Sequence, residues 1–344
     1  MEVKIVRYSL QSQCTDFIYS REIIAENNKF ENCYLIPVCA NIFSCRNIEA
    51  NLNKFKECRK ILESEITQIS YLRGNARLPL ISMLSVSDNP EVKFSKAMEI
   101  LSNLKKEIFQ TEYLAILAMI LTDIITVEDS DQYIRRGKEI FKNINKVYSF
   151  KTSEKDIVFA VLMAFPNKSD DELISEMIYF NNKMQNTFVC SNFVQSMSSV
   201  VTLVDGTIGE KCEKINYLYS SLKERKRNYG LFYELPVLGA AAMLPAYDSE
   251  VIEDIIEVDE YLSTQKSYGA WGVDNNSRRL MHAIMLVIND YSESNKINLA
   301  SIAAITNTLA MISEIDAEKA RTSALYNTRI RTQQERSGID FTGI

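Results

Sequence analysis

Apolar residues along the chain gather in compact blocks, each closing on a polar and usually acidic turn. Residues 78–84 run into Ser87, Asp88, Asn89, Pro90 and Glu91, and residues 113–121 run into Thr122 and Asp123. The same shape returns at 157–165, before Asn167, Lys168, Ser169, Asp170 and Asp171, and at 197–204, before Asp205 and Gly206. Residues 235–244 precede Pro245, Tyr247 and Asp248, and residues 280–288 precede Asn289 and Asp290. These are six copies about 40 residues apart, a period typical of helical-hairpin repeats.

Between successive blocks the pattern changes to apolar residues at three- and four-residue steps, which places them on one face of a helix. Phe94, Ala97, Met98, Leu101 and Leu104 illustrate it, as do Leu173, Ile174, Met177, Ile178 and Met184, and then Val251, Ile252, Ile255, Ile256 and Leu262. Each unit therefore pairs a wholly apolar helix with an amphipathic one. Neither can hide its surface alone, so the units must stack. Start signals agree: Asn89 before Pro90, and Ser169 followed three residues later by Glu172. The pattern predicts an all-α fold, an array of about six helical hairpins forming either an α-solenoid or a closed α/α toroid.

The ends depart from the repeat. Residues 1–46 read as an irregular N-terminal cap, with a possible short strand at 3–8 and a helix rich in Asn and Cys. Residues 47–320 form the repeat domain, which opens with a helix over 47–69 and closes with an apolar stripe of Leu299, Ile302, Ala303, Ile305, Leu309 and Ile312. Residues 321–344 are a polar tail that either frays or lies along another surface.

Composition supports long helices, because the 344 residues include only 10 Gly and 6 Pro. A net charge of −6 argues against a general nucleic-acid or anionic-membrane surface. The one basic run, Lys223, Arg225, Lys226 and Arg227, reads as the solvated end of a helix. No leader-like segment opens the chain, and no apolar run approaches the roughly 18 residues of a membrane span. A cytoplasmic location follows as the expectation, with the seven cysteines as free thiols.

Several stretches carry a family resemblance. They are residues 71–78 (Tyr71, Leu72, Arg73, Gly74, Asn75, Ala76, Arg77, Leu78), 111–118, 158–164 and 278–283. Over about 47–320 the chain resembles a family of low-GC Gram-positive bacteria, the domain of unknown function 4003. The resemblance implies a helical bacterial cytosolic protein and implies no reaction.

Candidate chemistry is sparse. His282 is the single histidine, and the cysteines include no Cys-x-x-Cys pair, so no metal site and no cofactor are expected. Phosphate-binding glycine loops are absent; Gly206 and Gly209 read as a helix stop and restart. Polar residues on helices that should be interior are more informative. Arg73 and Arg77 lead into the first apolar block, and Arg278, Arg279 and His282 lead into the last. Gln195, Ser198, Ser199 and Thr202 form a stripe on the fourth, and Trp271 lies in a Gly-rich loop beside Arg278.

Two readings of the arginines stand. They clamp an anionic group on the concave side of the array, or they pair with acidic residues of adjacent repeats. The small-residue stripe reads as close helix packing, and Trp271 as a recognition aromatic or a loop anchor. Two functions follow. The first is a binding or scaffold protein that holds a peptide, a partner protein, an anionic ligand or its own C-terminal tail on the concave face. The second is an enzyme with a pocket lined by Arg73, Arg77, Gln195, Arg279 and His282 inside a toroid.

Overall fold

The computed structural model describes residues 7–28, 32–65, 72–109, 111–148, 154–189, 192–204, 206–244, 249–268, 276–294 and 299–337. Among them are fifteen α-helices and no strand. The possible strand at 3–8 lies outside the described residues except at its end, where Tyr8 opens a helix.

Odd- and even-numbered helices play different parts. The odd ones are α1 (Tyr8–Asn27), α3 (Leu52–Glu65), α5 (Pro90–Glu107), α7 (Ser130–Tyr148), α9 (Asp170–Met184), α11 (Ile208–Glu224) and α13 (Ser249–Ser263). The even ones are α2 (Leu35–Ser44), α4 (Arg77–Ser85), α6 (Tyr113–Leu121), α8 (Asp156–Leu162), α10 (Asn192–Leu203), α12 (Leu235–Ala240) and α14 (Asn276–Ser294). The last helix is α15 (Leu299–Ser337).

Sequence explains the division. All nine residues of α6 are buried, as are all ten of α2, whereas α5 buries Phe94, Ala97, Leu101 and Leu104 and turns Glu91, Lys96, Glu99 and Lys106 to solvent. Caps start the amphipathic helices. Asn89 accepts from the Val92 N–H, and reciprocal capping boxes join Ser169 to Glu172 and Thr207 to Glu210. Gly206, at φ +101°, supplies the left-handed turn between α10 and α11, while Gly209 lies inside α11 rather than in the turn.

The stretch expected to be an irregular cap contributes a further hairpin, α1 and α2. Pro37, Asn41 and Ser44 interrupt its apolar run and disguise it, but a proline in the first turn costs the helix nothing. Each even helix packs on the next, α2 on α4, α4 on α6, and so on to α12 on α14; α14 also packs on α2. The odd helices contact one another in order from α1 to α13. Arg7, at the start of α1, binds Asp290 of α14 at 2.9 Å and Asp254 of α13 at 3.0 Å.

Helix α15 packs on α2, α6, α12 and α14. Nearly three turns of it are enclosed, for Thr306, Asn307, Thr308, Leu309, Ala310, Met311, Ile312, Ser313, Glu314 and Ile315 are all buried. Asn307 lies near the C-terminal part of α2, while Asp316 meets the first residue of α6, so α15 runs antiparallel to the even helices. Beyond Ala320 the polar tail continues as the same helix to Ser337, and residues 322–326 are exposed. Residues 338–344 lie outside the described residues.

Candidate functional site

Residues at the N-terminal ends of α2, α6, α8, α12 and α14 meet α15 around Glu314 and Asp316, and several buried charges lie there. Helix amino ends carry partial positive charge, so acidic groups on α15 are favoured at this level. Glu314 and Asp316 provide them. Asp316 accepts from the Tyr113 hydroxyl at 2.8 Å and pairs with Lys155 at 2.7 Å. Lys319, one turn on, pairs with Glu112 and lies over the Tyr113 ring. Burial and then the adjacent Asp316 charge push the Tyr113 phenol far above its ordinary pKa, so it stays a donor.

Glu314 is the deeper group, with its side chain fully enclosed. Arg278 of α14 meets it at 3.2 Å, donates to the Tyr233 hydroxyl at 3.1 Å and stacks 4.2 Å from the Tyr34 ring centre. Arg321 lies over the same Tyr34 ring at 3.4 Å. Tyr34 therefore joins a guanidinium of α14 to one of α15 through cation–π contacts. Burial raises the Tyr233 phenol to about 12, against the opposing pull of Arg278.

His282 stands one turn beyond Arg278. Its Nδ1 shares a 2.7 Å hydrogen bond with the Tyr268 hydroxyl, and its Nε2 lies 3.9 Å from Glu314. If Nδ1 accepts from the phenol, the Nε2–H points toward the carboxylate. Arg21 of α1 stacks on the outer side of this chain, 4.1 Å from the Tyr268 ring centre. The assembly Arg21, Tyr268, His282, Glu314, Arg278, Tyr34 and Arg321 runs from the first hairpin through the last to α15. Its chemistry is that of a closed electrostatic lock, since His282 and Arg278 are each 1% exposed.

Two of the residues singled out in the sequence, Arg278 and His282, converge here. Arg279 turns to α13 and grips Asp259 with two bonds, at 2.8 and 3.3 Å. Arg77 pairs with Glu63 of α3 at 2.6 Å, and Arg73 is exposed at the start of a short 3₁₀ turn, Gly74–Ala76. Arg77 and Arg279 thus pair with acids of the preceding helix in their own hairpins and Arg278 with one of α15, rather than with acids of an adjacent repeat.

Gln195 is buried on α10, where its backbone carbonyl accepts from the Ser198 and Ser199 hydroxyls. Those hydroxyls are spent on their own backbone, and α12 packs closely on α10 at Gly239, where a Cβ would lie 2.8 Å from Met197. Trp271 lies outside the described residues.

Sequence reasoning missed Glu314, Asp316, Lys155, Tyr34, Tyr233 and Tyr268. Glu314 carried a signal, because it interrupts the apolar stretch from Leu309 to Ile315 and an acid in a buried helix requires a cation from elsewhere.

Among the described residues no group of three His, Cys, Asp or Glu side chains is placed to hold a metal ion. No described helix is long and apolar enough to cross a membrane. Burial raises the Cys212 thiol to about 11 and drives Cys14 higher still. A family model described as "Protein of unknown function (DUF4003)" matches residues 21–317. No curated protein and no solved structure matches the chain.

Proposed function

The chain belongs to the DUF4003 family, and from that premise we propose that it is a binding or scaffold protein. In this reading seven hairpins close as an α/α toroid around α15, and the far half of α15 is offered to a protein partner in the bacterial cytoplasm. Support for closure comes from the packing of α14 on α2 and from Arg7, which ties the start of the chain to α13 and α14. The concave face then holds a segment of the same chain, residues 304–317, rather than the tail beyond Ala320.

One observation carries the functional part. A single helix passes from complete burial at Glu314 and Ile315 to exposure at 322–326, where Leu325 and Tyr326 are 63% and 65% exposed. A polar helix standing free in water is marginal without packing, because most helical stability in proteins comes from a buried face. A partner groove that covers Leu325 and Tyr326 would supply that face. The lock at Glu314 fixes where the helix emerges and in which direction it points.

Pulldown with the full chain, compared with a Leu325→Asp/Tyr326→Asp variant, tests the reading. The variant should fold with an unchanged melting temperature and lose the bound partner. Equal recovery of every protein by both forms would sink it.

A further inference from the structure

We propose that the gap between α15 and the α8–α10 side of the molecule is a binding site for a short-chain monocarboxylate. It does not depend on the partner helix proposed above and lies near the other end of the enclosed part of α15. Helix α15 leans on α2, α6, α12 and α14, and this leaves space opposite. The C-terminal ends of α8 and α10 border it, at Leu162 and Leu203.

The result is a cavity of about 200 Å³ that opens to solvent. Leu162, Phe165, Leu203, Val204 and Ile305 supply apolar walls, and Lys168 brings an ammonium group to the rim. This volume is below the roughly 300 Å³ at which drug-sized pockets begin, so the fit is to a short chain with a small head.

Charge at the rim selects the head. Lys168 Nζ donates to both carboxylate oxygens of Glu176 at 2.9 Å and to the Thr202 carbonyl at 3.3 Å. Lys211 donates to the Val201 carbonyl at 2.9 Å and lies 3.8 Å from the same carboxylate. Two ammonium groups thus share Glu176, and these three groups together carry one positive charge. The longest of the Lys168 bonds, to the Thr202 carbonyl, is the one a ligand carboxylate would replace with a charge-assisted bond. The alkyl chain would then lie along Leu203 and Ile305, in contact with α15.

Titration of the full-length protein with butanoate, pentanoate and hexanoate, followed by calorimetry and by methyl NMR, tests the site. Affinity should rise about fourfold per methylene, the factor equivalent to burying one CH₂, and methyl signals of Leu203, Val204 and Ile305 should shift. Lys168→Gln should weaken hexanoate at least tenfold and leave 1-hexanol unaffected. Leu203→Trp should abolish both by filling the space, and Ile124→Phe fills it from the opposite wall should that variant not fold. The proposal fails if hexanoate moves none of these signals at concentrations on the order of 10 mM, or if the filling variants bind as well as the natural chain. Equal affinity for hexanol and hexanoate would overturn the assignment of an anionic ligand.

Discussion

Arg278 of α14 and Glu314 of α15 form an ion pair at 3.2 Å with side-chain exposures of 1% and 0%. Water contributes nothing to either charge, so removing one partner strands the other in a low-dielectric interior. Glu314→Leu or Arg278→Met should each cost about 3–5 kcal/mol of stability, whereas the double replacement should cost clearly less than the two added together. Urea unfolding of the four proteins gives the cycle. Strict additivity would show that the two side chains do not act as a pair.

Two glycines in helices should respond in opposite ways to alanine. Gly137 in α7 faces α8, where an added Cβ would lie 2.6 Å from the Val161 Cα, and backbone cannot step aside as a flexible side chain can. Gly137→Ala should therefore lose about 1–3 kcal/mol despite the better helix propensity of alanine. Gly209 in α11 has only the Tyr179 hydroxyl nearby, at 3.9 Å. Gly209→Ala should gain about 0.5–1 kcal/mol. Thermal melts read both, and the same sign for the two would contradict the packing described for α7 on α8.

The capping boxes should give the fold an acid-sensitive component. Glu172 accepts from the Ser169 backbone and hydroxyl, and Glu210 accepts from the Thr207 hydroxyl and backbone; these bonds lower both carboxyl pKa values from the ordinary 4.5. A depressed folded pKa means a contribution fully present above 4.5 and lost as pH falls through the lower folded value. Ser169→Ala and Thr207→Ala should each cost about 1 kcal/mol at neutral pH. The difference from the natural chain should shrink once the carboxyls are protonated, as urea unfolding at neutral and acid pH would reveal. A difference independent of pH would mean that the glutamates take no part.

Much of the helical pattern was legible because a wholly apolar run of nine residues, such as Tyr113–Leu121, has no stable place except inside. Capping residues at Asn89 and Ser169 marked the helices that follow them. The pair α1 and α2 escaped notice since Asn41 and Ser44 break its apolar run, yet both are buried against polar neighbours. Helix α15 misled in the same way. Its apolar stripe was plain, but Thr306, Asn307, Thr308 and Ser313 suggest a wet face only when water is assumed opposite, and here other helices stand in its place. The lock was half visible for a related reason: Arg278 and His282 adjoin an apolar block, whereas their partner Glu314 lies on a separate helix whose arrival no local pattern announces.

Asn41, Asn289 and Asn307 show what those buried amides accomplish. Asn41 of α2 donates to the Asn307 Oδ1 of α15 at 2.8 Å and accepts from the Asn289 Nδ2 of α14 at 2.9 Å. One side chain of the first hairpin thus engages both the last hairpin and α15, and all three amides are buried. Asn41→Ala removes one bond toward each neighbour and leaves two buried polar groups needing partners, at about 1–3 kcal/mol per group. Asn41→Leu should be no milder, because filling the space does nothing for the stranded amides. Since the contact joins the two ends of the hairpin series, hydrogen exchange should quicken together in α2, α14 and α15 while the helices from α6 to α10 keep their protection. If exchange quickened in α2 alone, the three helices would not be joined through Asn41.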